Sequence, residues 1–144
     1  KYARMMKYTA PEEYAALVPL LPPLDDETVS LARELTAQTV RWAEETARQY
    51  PCCCSHARPI HASADGGGVT SLETYTLGEF LTYSPQTLRL FRAYYAEKAK
   101  TGENLYLEIQ ERTARLYGYA SLQDAEQKLS NPQDPAKAQK NPTP

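Results

Sequence analysis

The chain has 144 residues, enough for one domain around a single core and too few for two of ordinary size. Apolar residues make up 42% and charged residues 24%, a globular composition that excludes a disordered or fibrous chain. The net charge of -2 gives no basic footprint for nucleic acid or an anionic membrane, and no apolar run nears the roughly 18 residues that span a bilayer.

Proline and glycine punctuate a pattern of helices, with almost no period-two alternation over a strand length. Tyr2 to Tyr8 reads as the last turns of a helix. Thr9-Ala-Pro-Glu12 has the form of a capping box and predicts a short helix to about Val18. Pro19, Pro22 and Pro23 then impose an extended linker. Asp25 or Asp26 caps the longest helix, expected to run to about Gln49 and to end at Pro51. Val29, Ala32, Leu35, Thr36, Thr39, Trp42, Ala43 and Thr46 recur at three- and four-residue spacing and mark its core face. Arg41–Glu45 and Glu44–Arg48 are i,i+4 pairs on the solvated side.

Residues 51–69 lack periodicity and read as a long loop, a length that is usually functional or disordered. Thr70-Ser-Leu-Glu73 is a second capping box and predicts a helix to about Thr82. Ser84-Pro85 opens a helix to about Lys100, with Leu88, Phe91 and Tyr95, and Leu90 and Tyr94 beside them, inward. Gly102 stops it. The next helix is expected from about Glu103 to Tyr117, with Leu105, Ile109 and Leu116 inward, and Ser121-Leu-Gln-Asp124 caps a last one to about Leu129. Residues 130–144 carry four prolines and no apolar side chain larger than alanine, so they are expected to be a disordered tail. Residues 2–13 and 113–124 share a pattern of helix end, cap and acidic start, which suggests a weak internal repeat.

Several blocks together resemble a bacterial family known as domain of unknown function 4125. They are Lys1-Tyr-Ala-Arg-Met-Met6, Thr9-x-Pro11-x-x-Tyr14, Leu21-Pro-Pro23, Trp42, Arg58-Pro-Ile60 and Thr70-Ser-x-Glu-Thr-Tyr75. Gly78-Glu79, Thr82-Tyr-Ser84, Gly102-x-Asn-Leu105 and Tyr117-Gly-Tyr119 complete the match, which covers about nine-tenths of the chain. The resemblance implies a longer family protein, with an upstream half rich in an Asn-Glu-Gly-Gly-Arg type motif, of which this chain is the C-terminal unit. Lys1 is not an initiator methionine, which fits a fragment or a processed chain. The Cys52–Cys54 triplet and the Gly66–Gly68 run do not belong to the family pattern.

Three adjacent cysteines beside His56 and His61 raise the question of zinc. Adjacent side chains diverge, and no second CxxC or HxxxH pair exists, so metal is not expected. A reducing, cytoplasmic setting suits the free thiols. The glycine run leads to a helix N-terminus, yet it lacks both the Lys-Ser/Thr pair of a phosphate loop and a preceding strand. The sharper cluster places Arg58 and His61 on the loop with Glu73, Tyr75, Glu79 and Tyr83 on or next to the following helix. Tyrosine and carboxylate on one helix face beside an arginine could bind a polar small molecule or move protons. The competing and favoured reading is structural, with Arg58 paired to Glu79 or Glu73 to pin the loop. Tyr94, Tyr95, Tyr106, Tyr117 and Tyr119 could line a polar-aromatic pocket, although such tyrosines more often sit at a core boundary.

The sequence thus predicts an all-α, irregular helical bundle over residues 1–129, with one long helix and several short capped ones. Its expected role is a non-catalytic module that binds a protein partner or the upstream half. The alternative is an enzyme or a small-polar-ligand site at the 51–70 loop, built from Arg58, His61, Glu73, Tyr75, Glu79 and Tyr83. No cofactor, metal, nucleic acid or membrane is expected.

Overall fold

The computed structural model describes residues 1–131; of the expected tail, residues 132–144 lie outside the described residues. The order is α1 (Tyr2–Thr9), α2 (Pro11–Leu17), a 3-10 turn at Val18–Leu20, α3 (Asp26–Gln49), α4 (Pro51–Ser55) and a 3-10 turn at Ala62–Ala64. Then follow α5 (Leu72–Phe80), α6 (Pro85–Lys100), α7 (Leu105–Leu116) and α8 (Leu122–Ser130). Among the described residues there is no strand, so the fold is all-α, an irregular bundle.

The long helix α3 is the common partner of α5, α6 and α7. Its start is set by Asp25, whose carboxylate accepts from the Thr28 N–H and the Thr28 hydroxyl, each at 2.7 Å. Asp26 and Glu27 in the first turn favour the same end of the helix dipole. The buried stripe runs through Leu31, Ala32, Leu35, Thr36, Trp42, Ala43 and Thr46. Its threonines can be buried because their hydroxyls are satisfied locally. Thr36 donates to the Ala32 carbonyl at 2.7 Å and Thr46 to the Trp42 carbonyl at 2.8 Å. Two expected stripe members, Val29 and Thr39, lie at its half-buried margin, while Thr28 and Leu31 lie inside.

Pro51 ends α3 as expected, yet the next residues do not stay irregular. Proline suits the first helical position, and the two following N–H groups, of Cys52 and Cys53, each donate to one oxygen of Glu126 at 2.8 Å. A carboxylate from α8 therefore caps α4, a helix the local sequence gives no sign of.

Two hydrophobic clusters hold the bundle. The larger joins Leu31, Ala32 and Leu35 of α3 to Phe80 of α5 and Leu88 of α6, with Tyr83, Phe91 and Tyr95 around it. The smaller joins Ala114 of α7 to Leu122 and Ala125 of α8, closed by Tyr50 and Cys53. α1 docks on α5 through Met5. A Cβ on Gly78 would stand 2.5 Å from the Met5 Cγ, which is why a glycine is tolerated in the middle of α5.

Several expectations need correction. Thr9 does not cap α2; the cap position is Ala10, and no side chain bonds there. Ser71 rather than Thr70 caps α5, accepting from the Thr74 N–H at 3.1 Å. α5 stops at Phe80, two residues early, because Thr82 and Tyr83 donate to the carbonyls of Glu79 and Phe80 in a tighter turn. α7 starts after an Asn104 cap, and its expected inward residues Ile109 and Leu116 are exposed, Leu116 at 88%. Leu90 and Tyr94 of α6 are exposed as well. The suggested repeat is not repeated structure: one residue separates α1 from α2, whereas residues 117–121 separate α7 from α8. Among the described residues no helix is long and apolar enough to cross a membrane.

Candidate functional site

Between Ser55 and Leu72 the chain is fastened at its base. Leu72 and Glu73 donate backbone N–H bonds to the carbonyls of Pro59 and Ile60, at 2.8 and 3.0 Å. The Glu73 carboxylate accepts from the Ala62 N–H at 2.8 Å. His61 lies between two acids, with Nε2 at 3.2 Å from Glu44 of α3 and Nδ1 at 4.0 Å from Glu73. His61 and Glu73 thus tie the loop to α3 and α5, outside the lining of the aromatic cavity described next. At the glycine run, Gly66 and Val69 exchange two backbone bonds around a turn in which all three glycines have positive φ. The helix end beyond it already holds an anion. Asp65 accepts from the Ser71 N–H at 2.6 Å and from the Thr74 hydroxyl, so the chain's own carboxylate fills the place a phosphate would take.

The other four sequence-predicted residues meet at one cavity. A space of about 550 Å³ opens where α5, α6 and α7 lean on α3, and Arg58, Tyr75, Glu79 and Tyr83 all line it. Its remaining walls are largely aromatic: Phe80, Phe91 and Tyr95 on one side, Tyr106 on the other, with Ile109 and Gln110 of α7. The Tyr83 and Phe91 rings lie parallel at 5.7 Å, and Tyr95 meets Phe91 and Trp42 at an angle. Of the five tyrosines considered for a pocket, Tyr95 and Tyr106 belong to this one. Tyr117 and Tyr119 line an adjoining cavity of about 410 Å³ that shares Ala57 and Gln110 with it, and Tyr94 is exposed.

The expected pairing of Arg58 with Glu79 or Glu73 is not what forms. Lys1 takes Glu79: its Nζ donates to Glu79 Oε2 at 2.8 Å and to the Tyr75 hydroxyl at 2.5 Å. The Tyr83 hydroxyl donates to the other Glu79 oxygen at 3.0 Å. Arg58 instead donates to the Thr70 carbonyl at 3.0 Å and lays its guanidinium 4.9 Å from the centre of the Tyr75 ring. It does hold the loop to the bundle, but through a carbonyl and a ring. Nothing local signals the part of Lys1, which is 78 residues from Glu79 in the chain.

These contacts fix the protonation states. The Lys1 hydrogen bond, with help from Tyr83, holds the Glu79 carboxyl below the usual glutamate range against the opposing effect of burial. The Tyr83 phenol is pushed up, because losing its proton would break the bond to Glu79 and set two negative charges together. Burial raises the Tyr95 and Tyr106 phenols. Away from the cavity mouth, burial and then the neighbouring Glu126 carboxylate push the Cys53 thiol up to about 12. Cys54 is raised by the same two causes. None of the three cysteines is joined in a disulfide among the described residues. Among the described residues no group of three or more His, Cys, Asp or Glu side chains could hold a metal ion.

No curated protein and no solved structure matches the chain. A family described as a protein of unknown function (DUF4125) matches residues 1–127, a span that includes every helix from α1 through α7 and both cavities except Leu129. With that span, the chain belongs to the DUF4125 family.

Proposed function

We propose that this chain is a non-catalytic binding module whose site is the aromatic cavity between α5, α6 and α7, and that its occupant is a small molecule with an apolar body and a polar end. The observation that carries the reading is the cavity itself. Its volume of about 550 Å³ falls within the roughly 300–1,000 Å³ of small-molecule sites, and its lining is mainly apolar with a few polar groups at the edge. The chemistry at that edge favours binding over reaction. Glu79 is held ionised by Lys1, which makes it a weak base, and Tyr83 is a weak acid while it is bonded to Glu79. The raised Cys53 thiol is no activated nucleophile. Three successive cysteines, none of them in a disulfide among the described residues, suit a reducing compartment such as the cytoplasm.

A thermal-shift screen against metabolites tests the reading, run in parallel on the chain and on Ile109→Trp. Ile109 lines the cavity yet is 57% exposed, so the larger ring blocks the opening without loading the core. Stabilising compounds are expected to lose their effect on the variant and to be recovered chemically unchanged. A compound that the chain converts, with conversion abolished by Glu79→Gln, overturns the non-catalytic reading. Stabilisation that Ile109→Trp leaves intact overturns the cavity.

A further inference from the structure

We infer that the ligand of this cavity is a small organic monoanion, a carboxylate carried on an aromatic ring, with Arg58 as its anchor. The inference rests on the cavity being the binding site and adds the chemical class of what it holds. Three charged side chains matter at the mouth. Lys1 and Glu79 form an ion pair at 2.8 Å and cancel each other. Among the described residues no carboxylate lies within ion-pair distance of Arg58, whose guanidinium makes one hydrogen bond, to the Thr70 carbonyl. The mouth therefore keeps one uncompensated positive charge, on the side chain whose planar fork matches a carboxylate.

The position of that charge is fixed. The Thr70 carbonyl and the Tyr75 ring hold the guanidinium from two directions, so little side-chain freedom is left to lose when an anion arrives. Elsewhere in the lining, two more polar groups have no side-chain hydrogen-bond partner among the described residues, the Tyr106 hydroxyl and the Gln110 amide. Tyr75, Tyr83, Phe91, Tyr95 and Tyr106 otherwise present rings, which pack best on another ring. An anionic head at Arg58 and a ring between the helices satisfy both halves of the site at once.

Phenylacetate, phenethyl alcohol and phenethylamine have similar bodies and differ in the charge of the head. Titration of the labelled chain, followed by amide shifts at α5, α6 and α7, gives each affinity. Phenylacetate is expected to bind about tenfold more tightly than the alcohol, the size of one charge-assisted hydrogen bond, and the amine more weakly than either. Arg58→Gln is expected to weaken phenylacetate about tenfold, to near the level of the alcohol, and to weaken the alcohol much less. The variant's own amide spectrum verifies that it is folded. An alcohol that binds as well as phenylacetate, an amine that binds best, or a preference that survives Arg58→Gln overturns the inference and leaves the cavity standing. Three probes that move no amide around the cavity overturn the cavity reading and the inference together.

Discussion

A carboxylate that meets two successive N–H groups acts like a bound anion, and Glu126 is in that position for Cys52 and Cys53. Replacing it with alanine is expected to remove the cap of α4 at a cost of about 1 kcal/mol, read from urea unfolding. It is also expected to lower the Cys53 pKa from about 12, part of the way to the ordinary thiol value, because the charge is gone and the burial remains. Alkylation of Cys53 against pH, with Cys52 and Cys54 replaced by serine, separates the two effects. An unchanged thiol titration would show that burial alone raises it. Caps of the opposite kind, made within one turn, were legible from the sequence: Asp25, Ser84 and Ser121 each accept from the N–H three residues on. Thr70 misled because a second hydroxyl follows it. The choice fell to Ser71, whose N–H is already held by Asp65, and that contact is not written in the local sequence.

For single helices, the start and stop signals were easier to read than the inward face. α6 runs over the expected residues, since Ser84 and Pro85 fix one end and Gly102 follows the other. The face of α7 was misassigned because it packs against both α3 and α8, so Ala114 and Leu107 go inward while Ile109 and Leu116 remain outside. Small residues at close contacts carry little hydropathy signal. α1 shows how such docking depends on charge. Glu79 sits below its ordinary 4.5, so its contribution is complete above that value and is lost as pH falls through the lowered one. Lys1 sits above its ordinary 10.5, so its contribution is complete below that value and is lost as pH rises through the raised one. The docking of α1 on α5 is therefore expected to be constant across neutral pH and to loosen at both extremes. The Gly78 amide, packed against Met5, reports it by NMR. Glu79→Gln should abolish the acid limb, and an acid limb of the same size in that variant would assign it to another group.

In the molecule as a whole, two hydrophobic clusters of unequal size divide the bundle, the larger built on α3 and the smaller between α7 and α8 beyond the end of α3. That division was not visible beforehand, because the pairing of α4 with α8 depends on Glu126 and on Cys53 packing against Leu122. The all-α class was visible, since proline, glycine and caps bound nearly every segment. Leu35 is 1% exposed in the larger cluster and Leu122 is 3% exposed in the smaller. Each replaced by alanine is expected to cost about 2–5 kcal/mol locally. Leu35→Ala should lower the whole unfolding transition seen by Trp42. Leu122→Ala should speed hydrogen exchange in α4 and α8 well before α3. Equal acceleration in all three helices would mean that the clusters open together.

The glycine turn has a quieter consequence. Its three glycines stand in open space, and the side-chain bonds that fasten the segment lie outside them, at Arg58, Ala62 and Ser71. A ring closed at its base passes nothing down from its crown. Extra length inserted among these glycines adds only slowly growing closure entropy, so the crown is free to vary in size and sequence while the guanidinium below keeps its place.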